Sequence, residues 1–76
     1  MKPYRDLDRD SAVIAYEDGP GFIIVMFKGS SLKYGYNDLV TGAGHVAEMR
    51  RLAALGDGLN RYINLHVRKR YARKYR

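Results

Sequence analysis

Gly19-Pro20-Gly21-Phe22-Ile23-Ile24-Val25-Met26-Phe27 is the stretch from which the rest of the chain is read. Gly-Pro-Gly is turn chemistry, because proline presets φ and glycine accepts a positive one. The run that follows is β-branched and aromatic apart from Met26, a composition that suits a pleated strand. Side chains alternate along a strand, so Ile23, Val25 and Phe27 share one face and Phe22, Ile24 and Met26 the other. Both faces are apolar, which predicts the central strand of a sheet. Upstream, Ala12 to Tyr16 has the same composition and predicts the first arm of a hairpin. Downstream, Gly29-Ser30-Ser31 turns the chain into a third strand, Leu32 to Tyr36, with Leu32, Tyr34 and Tyr36 on one face and Lys33 and Gly35 on the other. The simplest arrangement is an antiparallel meander of three strands.

The period changes after Gly42 and Gly44. From His45 to Leu55 the positions Val46, Met49, Leu52 and Ala53 recur at spacings of three and four, with Arg50, Arg51 and Ala54 opposite, which predicts an amphipathic helix ended by Gly56. Asp57 is placed to cap a second helix, whose apolar stripe is Leu59, Tyr62, Ile63, His66 and Val67. Arg61, Asn64, Arg68 and Tyr75 fall on its far side, and its extent past Val67 is left open. The predicted fold class is therefore α+β, a three-stranded antiparallel meander followed by two α-helices packed on one face (β-β-β-α-α). Residues 1–10, with Arg5-Asp6-Leu7-Asp8-Arg9-Asp10, read as a lead-in, 11–71 as a single domain and 72–76 as a basic C-terminal extension.

A chain of 76 residues buries only about 60 to 65% of its unfolded surface, so modest stability is expected. With 46% hydrophobic and 29% charged residues it has the composition of a folding chain. The absence of cysteine excludes disulfides and thiolate metal sites and fits a reducing compartment. The longest apolar run, Phe22 to Phe27, is far short of the roughly 20 residues that span a bilayer, and Met1-Lys2-Pro3-Tyr4 begins no signal peptide. A cytoplasmic protein without a membrane partner is the expectation.

Charge is distributed unevenly. Residues 1–44 carry a net −1 and residues 45–76 a net +7, of a total of +6. Arg68-Lys69-Arg70-Tyr71-Ala72-Arg73-Lys74-Tyr75-Arg76 holds six cations, two tyrosines and no acid. Such a segment repels itself unless a polyanion lies against it. Solvated helix faces usually balance Lys and Arg with acids one turn away, and after Glu48 the sole acid is Asp57.

Residues Ser11 to Tyr71 resemble the KTSC domain, a family named for its occurrence at the C-terminus of some bacterial lysyl-tRNA synthetases. The resemblance is carried by the spacing from Tyr16 to the Ile23, Val25, Phe27 strand, by the lysine and glycine after it, and by Tyr34-Gly35-Tyr36, which matches the family's Tyr-x-Tyr. Leu59-Asn60-Arg61-Tyr62-Ile63 and Val67-Arg68-Lys69-Arg70-Tyr71 resemble its closing stretches. The chain departs from the pattern by one more residue before Tyr34, by the longer link Leu39 to Gly44, and by the cations after Tyr71. The resemblance implies the fold, and it implies RNA as a partner only through the family's synthetase neighbour.

The candidate binding residues are Lys33, Tyr34, Tyr36, Arg50, Arg51, Arg61, Arg68, Lys69, Arg73 and Lys74. The cations would hold a phosphate backbone, and Tyr34 or Tyr36 would offer a stacking surface, one ring being buried with its hydroxyl bonded and the other reaching the edge. Arg70 falls on the apolar side of an ideal helix and reads as a structural arginine. His45 and His66 read as half-buried histidines on core-facing helix sides. No further ligands accompany them, so no metal or other cofactor is expected. The alternation Asp6, Asp8, Asp10 is neutralised by Arg5 and Arg9. No nucleophile has a base nearby, and Gly42-Ala43-Gly44 is too short for a phosphate loop. The expectation is a non-catalytic nucleic-acid-binding module using a basic C-terminal helix, RNA before DNA. The alternative is an interaction module, such as a phage-type regulator or inhibitor, that docks its basic face on an acidic protein surface of a polymerase or nuclease. A third reading pairs Phe22, Ile24 and Met26 with a second copy, giving a homo-oligomer.

Overall fold

The computed structural model describes every residue except Asp8 and Asp10. Its five strands form one antiparallel sheet in chain order: β1 Lys2–Pro3, β2 Val13–Gly19, β3 Phe22–Phe27, β4 Lys33–Asn37 and β5 Arg73–Tyr75. Between β4 and β5 lie a π-helical turn, Asp38–Gly42, then α1, Ala43–Leu55, then α2, Leu59–Tyr62, which continues as a π-helical segment, Ile63–Val67. The class, an antiparallel sheet with two helices, agrees with the patterning. The three-strand meander does not, because both chain segments outside it add a strand.

The predicted central strand is central: β3 has two strands on either side. Ile23 and Val25 are fully buried, beneath Met49 and Ala53 of α1 and Leu59, Ile63 and Val67 of the second helix, with Val13, Tyr16 and Tyr36 from the flanking strands. A bulge between Val13 and Ala15 lets Val13 stay in this core while Ile14 turns outward.

The lead-in joins the sheet for reasons that lie far along the chain. Lys2 pairs with Tyr16 and Pro3 with Ala15, and proline suits an edge strand because its missing N–H faces solvent. The anchor is Tyr4, buried in the core, whose hydroxyl oxygen accepts a hydrogen bond from the Leu59 amide at 3.2 Å. That bond does what Asp57 was expected to do: Gly58, not Asp57, precedes the second helix, and no side chain of its own caps it. Leu7 donates its amide to the Gly56 carbonyl at 2.8 Å, so the N-terminal segment runs across the junction of the helices. The Asp6, Asp8, Asp10 alternation falls partly outside the described residues.

The extent of the second helix past Val67 was open, with Arg68 and Tyr75 set on its far side as part of a basic C-terminal helix; the helix stops at Val67 and the chain returns as β5. Six cations without an acid offer no i, i+4 pairs to a helix, and like charges one turn apart oppose it. As a strand the same residues alternate: Lys74 lies opposite Tyr34 on the helix-covered face, while Arg73 and Tyr75 lie opposite Gly35 and Lys33 on the other. Tyr75 therefore sits on the sheet and not on a helix. Arg70 is exposed; its backbone carbonyl, not its guanidinium, has the structural role, accepting a 2.7 Å bond from the buried Thr41 hydroxyl. His66 also departs from its expected place. The i to i+5 bonding of Ile63–Val67 turns the chain less per residue than an α-helix, so Ile63 and Val67 stay buried while His66 rotates to the surface.

Candidate nucleic-acid interface

At the β4–β5 edge of the helix-covered face, the second helix does not reach across the sheet, and a groove of about 300 Å³ opens there. Phe27, Tyr34, Tyr36 and Tyr71 line it from the sheet side, and Ile63, Asn64, Arg68 and Lys69 from the helix and the turn after it. Lys74 of β5 closes one side. The aromatic rings are mutually locked: Tyr34 meets Phe27 edge to face at 5.4 Å between centroids and Tyr71 likewise at 5.2 Å. This is the arrangement ring quadrupoles favour. The Lys74 ammonium lies 5.6 Å from the Tyr34 ring centre, a cation–π distance. Thr41 fixes the chain immediately after Arg68 and Lys69 through its bond to the Arg70 carbonyl, which sets where those two cations stand.

The electrostatics of the groove are one-sided. No acid lines it, and among the described residues Arg68, Lys69 and Lys74 form no ion pair. Tyr36 is 1% exposed. Burial, together with the neighbouring phenols of Tyr34 and Tyr71, pushes its hydroxyl from an ordinary 10.0 up to about 12. The three phenols thus lie close enough to influence one another beneath the cations, and Tyr36 is neutral across the physiological range. Of the expected pair, Tyr36 is the buried ring and Tyr34 the half-buried one. Among the described residues the Tyr36 hydroxyl has no hydrogen-bond partner, contrary to expectation, and since no fully buried side-chain polar atom lacks one, its oxygen keeps some solvent contact although the ring is buried.

Half of the ten candidates meet in this groove: Tyr34, Tyr36, Arg68, Lys69 and Lys74. Lys33 and Arg73 are on the opposite sheet face, against the ring of Tyr75 at 6.0 and 4.8 Å. Arg61 lines a separate polar hollow with Tyr4, Asp6, Asp57 and Asn60. Arg50 and Arg51 were expected to lack acidic partners, and both have one. Arg50 pairs with Asp18 of β2 at 2.9 Å, and Arg51 with Glu48 one turn earlier at 2.6 Å. The balancing acids lie three residues upstream of Arg51 and, for Arg50, on the sheet. Asp18 also binds Lys2 at 3.2 Å. Burial acts to raise its carboxyl pKa, but the bonds from Arg50 and Lys2 prevail and hold it below its ordinary value. Tyr71, absent from the expected site residues, also lines the groove, and no local period in the sequence places it there.

A second cluster lies on the helices. His45 Nδ1 and the Tyr62 hydroxyl are 2.7 Å apart, and the His66 ring is 4.5 Å from that of Tyr62. No three His, Asp or Glu side chains converge among the described residues. No helix among them is long and apolar enough to cross a membrane. Comparisons of the chain with protein-family models, with curated proteins and with solved structures found no match, so the KTSC resemblance rests on the residues quoted for it.

Proposed function

We propose that this protein is a non-catalytic nucleic-acid-binding module that grips a single strand in the groove between β4, β5 and the second helix. The observation that carries the reading is the coincidence of three cations lacking acidic partners with a tyrosine-lined floor. Arg68, Lys69 and Lys74 contact phosphates, releasing counterions, while Tyr34 presents a π-surface on which a base stacks. A groove of about 300 Å³ is at the small end of ligand sites, the scale of a single nucleotide. Phosphate contacts position a strand without reading it, so sequence discrimination is weak. RNA is preferred over DNA on the strength of the KTSC resemblance.

Fluorescence anisotropy with labelled single-stranded RNA tests this. Three contacts at roughly −0.7 each give a slope of log K against log[salt] near −2. Arg68→Glu with Lys69→Glu should weaken binding to all sequences alike. Tyr34→Ala should cost about 1 to 3 kcal/mol with the slope nearly unchanged. Failure of the wild type to bind RNA or DNA below about 100 μM at low salt, where non-specific contacts are already visible, sinks the proposal. In that event the same double variant, used against the wild type in a pull-down, tests docking on an acidic protein surface.

A further inference from the structure

The helices and the core occupy one face of the sheet; among the described residues no element lies over the other face. That open face is ordered in rows set by the strand register. Glu17 of β2, Ile24 of β3, Gly35 of β4 and Arg73 of β5 form one row across it. Pro3, Ala15, Met26, Lys33 and Tyr75 form the row beside it, and Gly19, Phe22 and Asn37 the row on the other side. Along β3 the apolar spine Phe22, Ile24, Met26 is half-buried, against full burial of Ile23 and Val25 on the opposite face. On one flank of the spine stands Glu17, on the other Arg73 and Lys33, and neither Glu17 nor Arg73 has an ion-pair partner among the described residues. Gly35 leaves a groove of about 320 Å³ between the spine and Arg73, lined also by Phe22, Ile24 and Tyr75.

We infer that two copies of this chain pair through their open sheet faces, about a twofold axis parallel to the strands and centred on β3. The charges select the axis. A twofold interface brings each patch onto its own symmetry mate. With the axis along the strands, β2 of one copy lies over β4 of the other. Because Glu17 and Gly35 share a row, Glu17 enters the hollow above Gly35 and reaches Arg73 of the partner copy. Pro3 then covers Tyr75, and the spines of Phe22, Ile24 and Met26 meet. With the axis across the strands, Glu17 would face Glu17 and Arg73 would face Arg73. Sheets that pack face to face keep their strands within about 30° of each other, which both arrangements satisfy, so the charges alone select between them. Five strands at about 4.8 Å and six residues at about 3.3 Å make a face of roughly 24 by 20 Å. That is below the roughly 800 Å² per partner of standard specific interfaces, so the dimer expected is a weak, concentration-dependent one. The nucleic-acid groove is on the other face, so neither surface covers the other.

Sedimentation velocity of the full chain from about 1 μM to about 500 μM reads the association. The expected result is a monomer–dimer equilibrium that Ile24→Glu abolishes while circular dichroism stays native. Glu17→Arg alone and Arg73→Glu alone should each weaken dimerisation about tenfold or more, by setting like charges face to face. Glu17→Arg combined with Arg73→Glu should restore it to within a few-fold of the wild type. A monomer at every concentration, or a dimer indifferent to Ile24→Glu, overturns the proposal. Failure of the combined variant to recover affinity overturns the proposed axis. RNA binding at protein concentrations below dimerisation is expected to persist in Ile24→Glu, so failure here is separable from failure of the groove.

Discussion

Tyr36 combines two roles that usually conflict, since its ring fills the core and its phenol lies under the groove. Its raised pKa has a consequence for stability. The folded value, about 12, lies above the ordinary 10.0, so the neutral form is favoured by folding. The stabilisation is complete below pH 10 and is lost as pH rises from about 10 through about 12, because the unfolded chain releases the proton first. At about 1.4 kcal/mol per unit this amounts to roughly 2 to 3 kcal/mol. Denaturant titrations of wild type and Tyr36→Phe should therefore differ in slope against pH in that window, the variant gaining by about that amount. Parallel curves for the two proteins would show that this phenol does not titrate late. Asp18 works in the opposite range, since a carboxyl held below its ordinary 3.8 stabilises above that pH and loses its effect only as pH falls further. At residue scale, then, the fold is tied to acid by one group and to alkali by another.

The junction of the two helices shows how an element is ended by something outside itself. Gly56 closes α1 at φ +82°, and its amide returns to the Leu52 carbonyl at 2.9 Å. A Cβ built there would stand 2.5 Å from Cβ of Arg5, on the segment that carries Tyr4 to its place. Gly56→Ala therefore meets both left-handed strain and a neighbour fixed by backbone, and should destabilise by about 2 kcal/mol or more. Gly44→Ala is the contrast: it is in α1 with nothing within 4 Å of the added methyl. There the change should stabilise by about 0.5 kcal/mol. Chemical denaturation midpoints of the two variants check the opposite signs. The same junction explains what could be read in advance. Alternation in Phe22 to Phe27 and the three–four spacing of Val46, Met49 and Ala53 are local patterns, and they placed β3 and α1. That Tyr4 would cap Leu59 depends on a contact between residues 55 apart, which no local pattern carries. Arg73 to Tyr75 has strand alternation, but its pairing with Gly35 lies across both helices, and the dense charge pointed to a helix face. Half of the candidate site was legible for the same reason: Arg68, Lys69 and Lys74 lie within one cationic run. Arg50 and Arg51 were misread because Asp18 reaches Arg50 only through the sheet and Glu48 precedes Arg51.

The molecule measures 31 × 24 × 22 Å, and its two faces are chemically distinct. One buries the core and opens at the β4–β5 edge into the basic groove; the other is an apolar sheet flanked by opposite charges. Topology links the groove to the order in which the chain closes. The strands β2, β3 and β4 pair through short turns, whereas β5 pairs with β4 across the whole helical segment, a closure with a larger entropy cost. Of the elements that wall the groove, β5 holds by the fewest bonds: three paired residues and the Ala72 amide on the Gly35 carbonyl at 2.7 Å. Opening of that strand is thus a low-energy fluctuation of the groove wall, and each opening dismantles the proposed binding site while leaving the core intact. Native-state amide exchange should find Ala72 and Lys74 exchanging far faster than Ile23 and Val25, and slowing when single-stranded RNA is added. Equal protection of all four amides would contradict this. If the groove binds as proposed, its ligand acts as a clasp on the chain's own edge, and the affinity measured for it includes the work of holding that clasp shut.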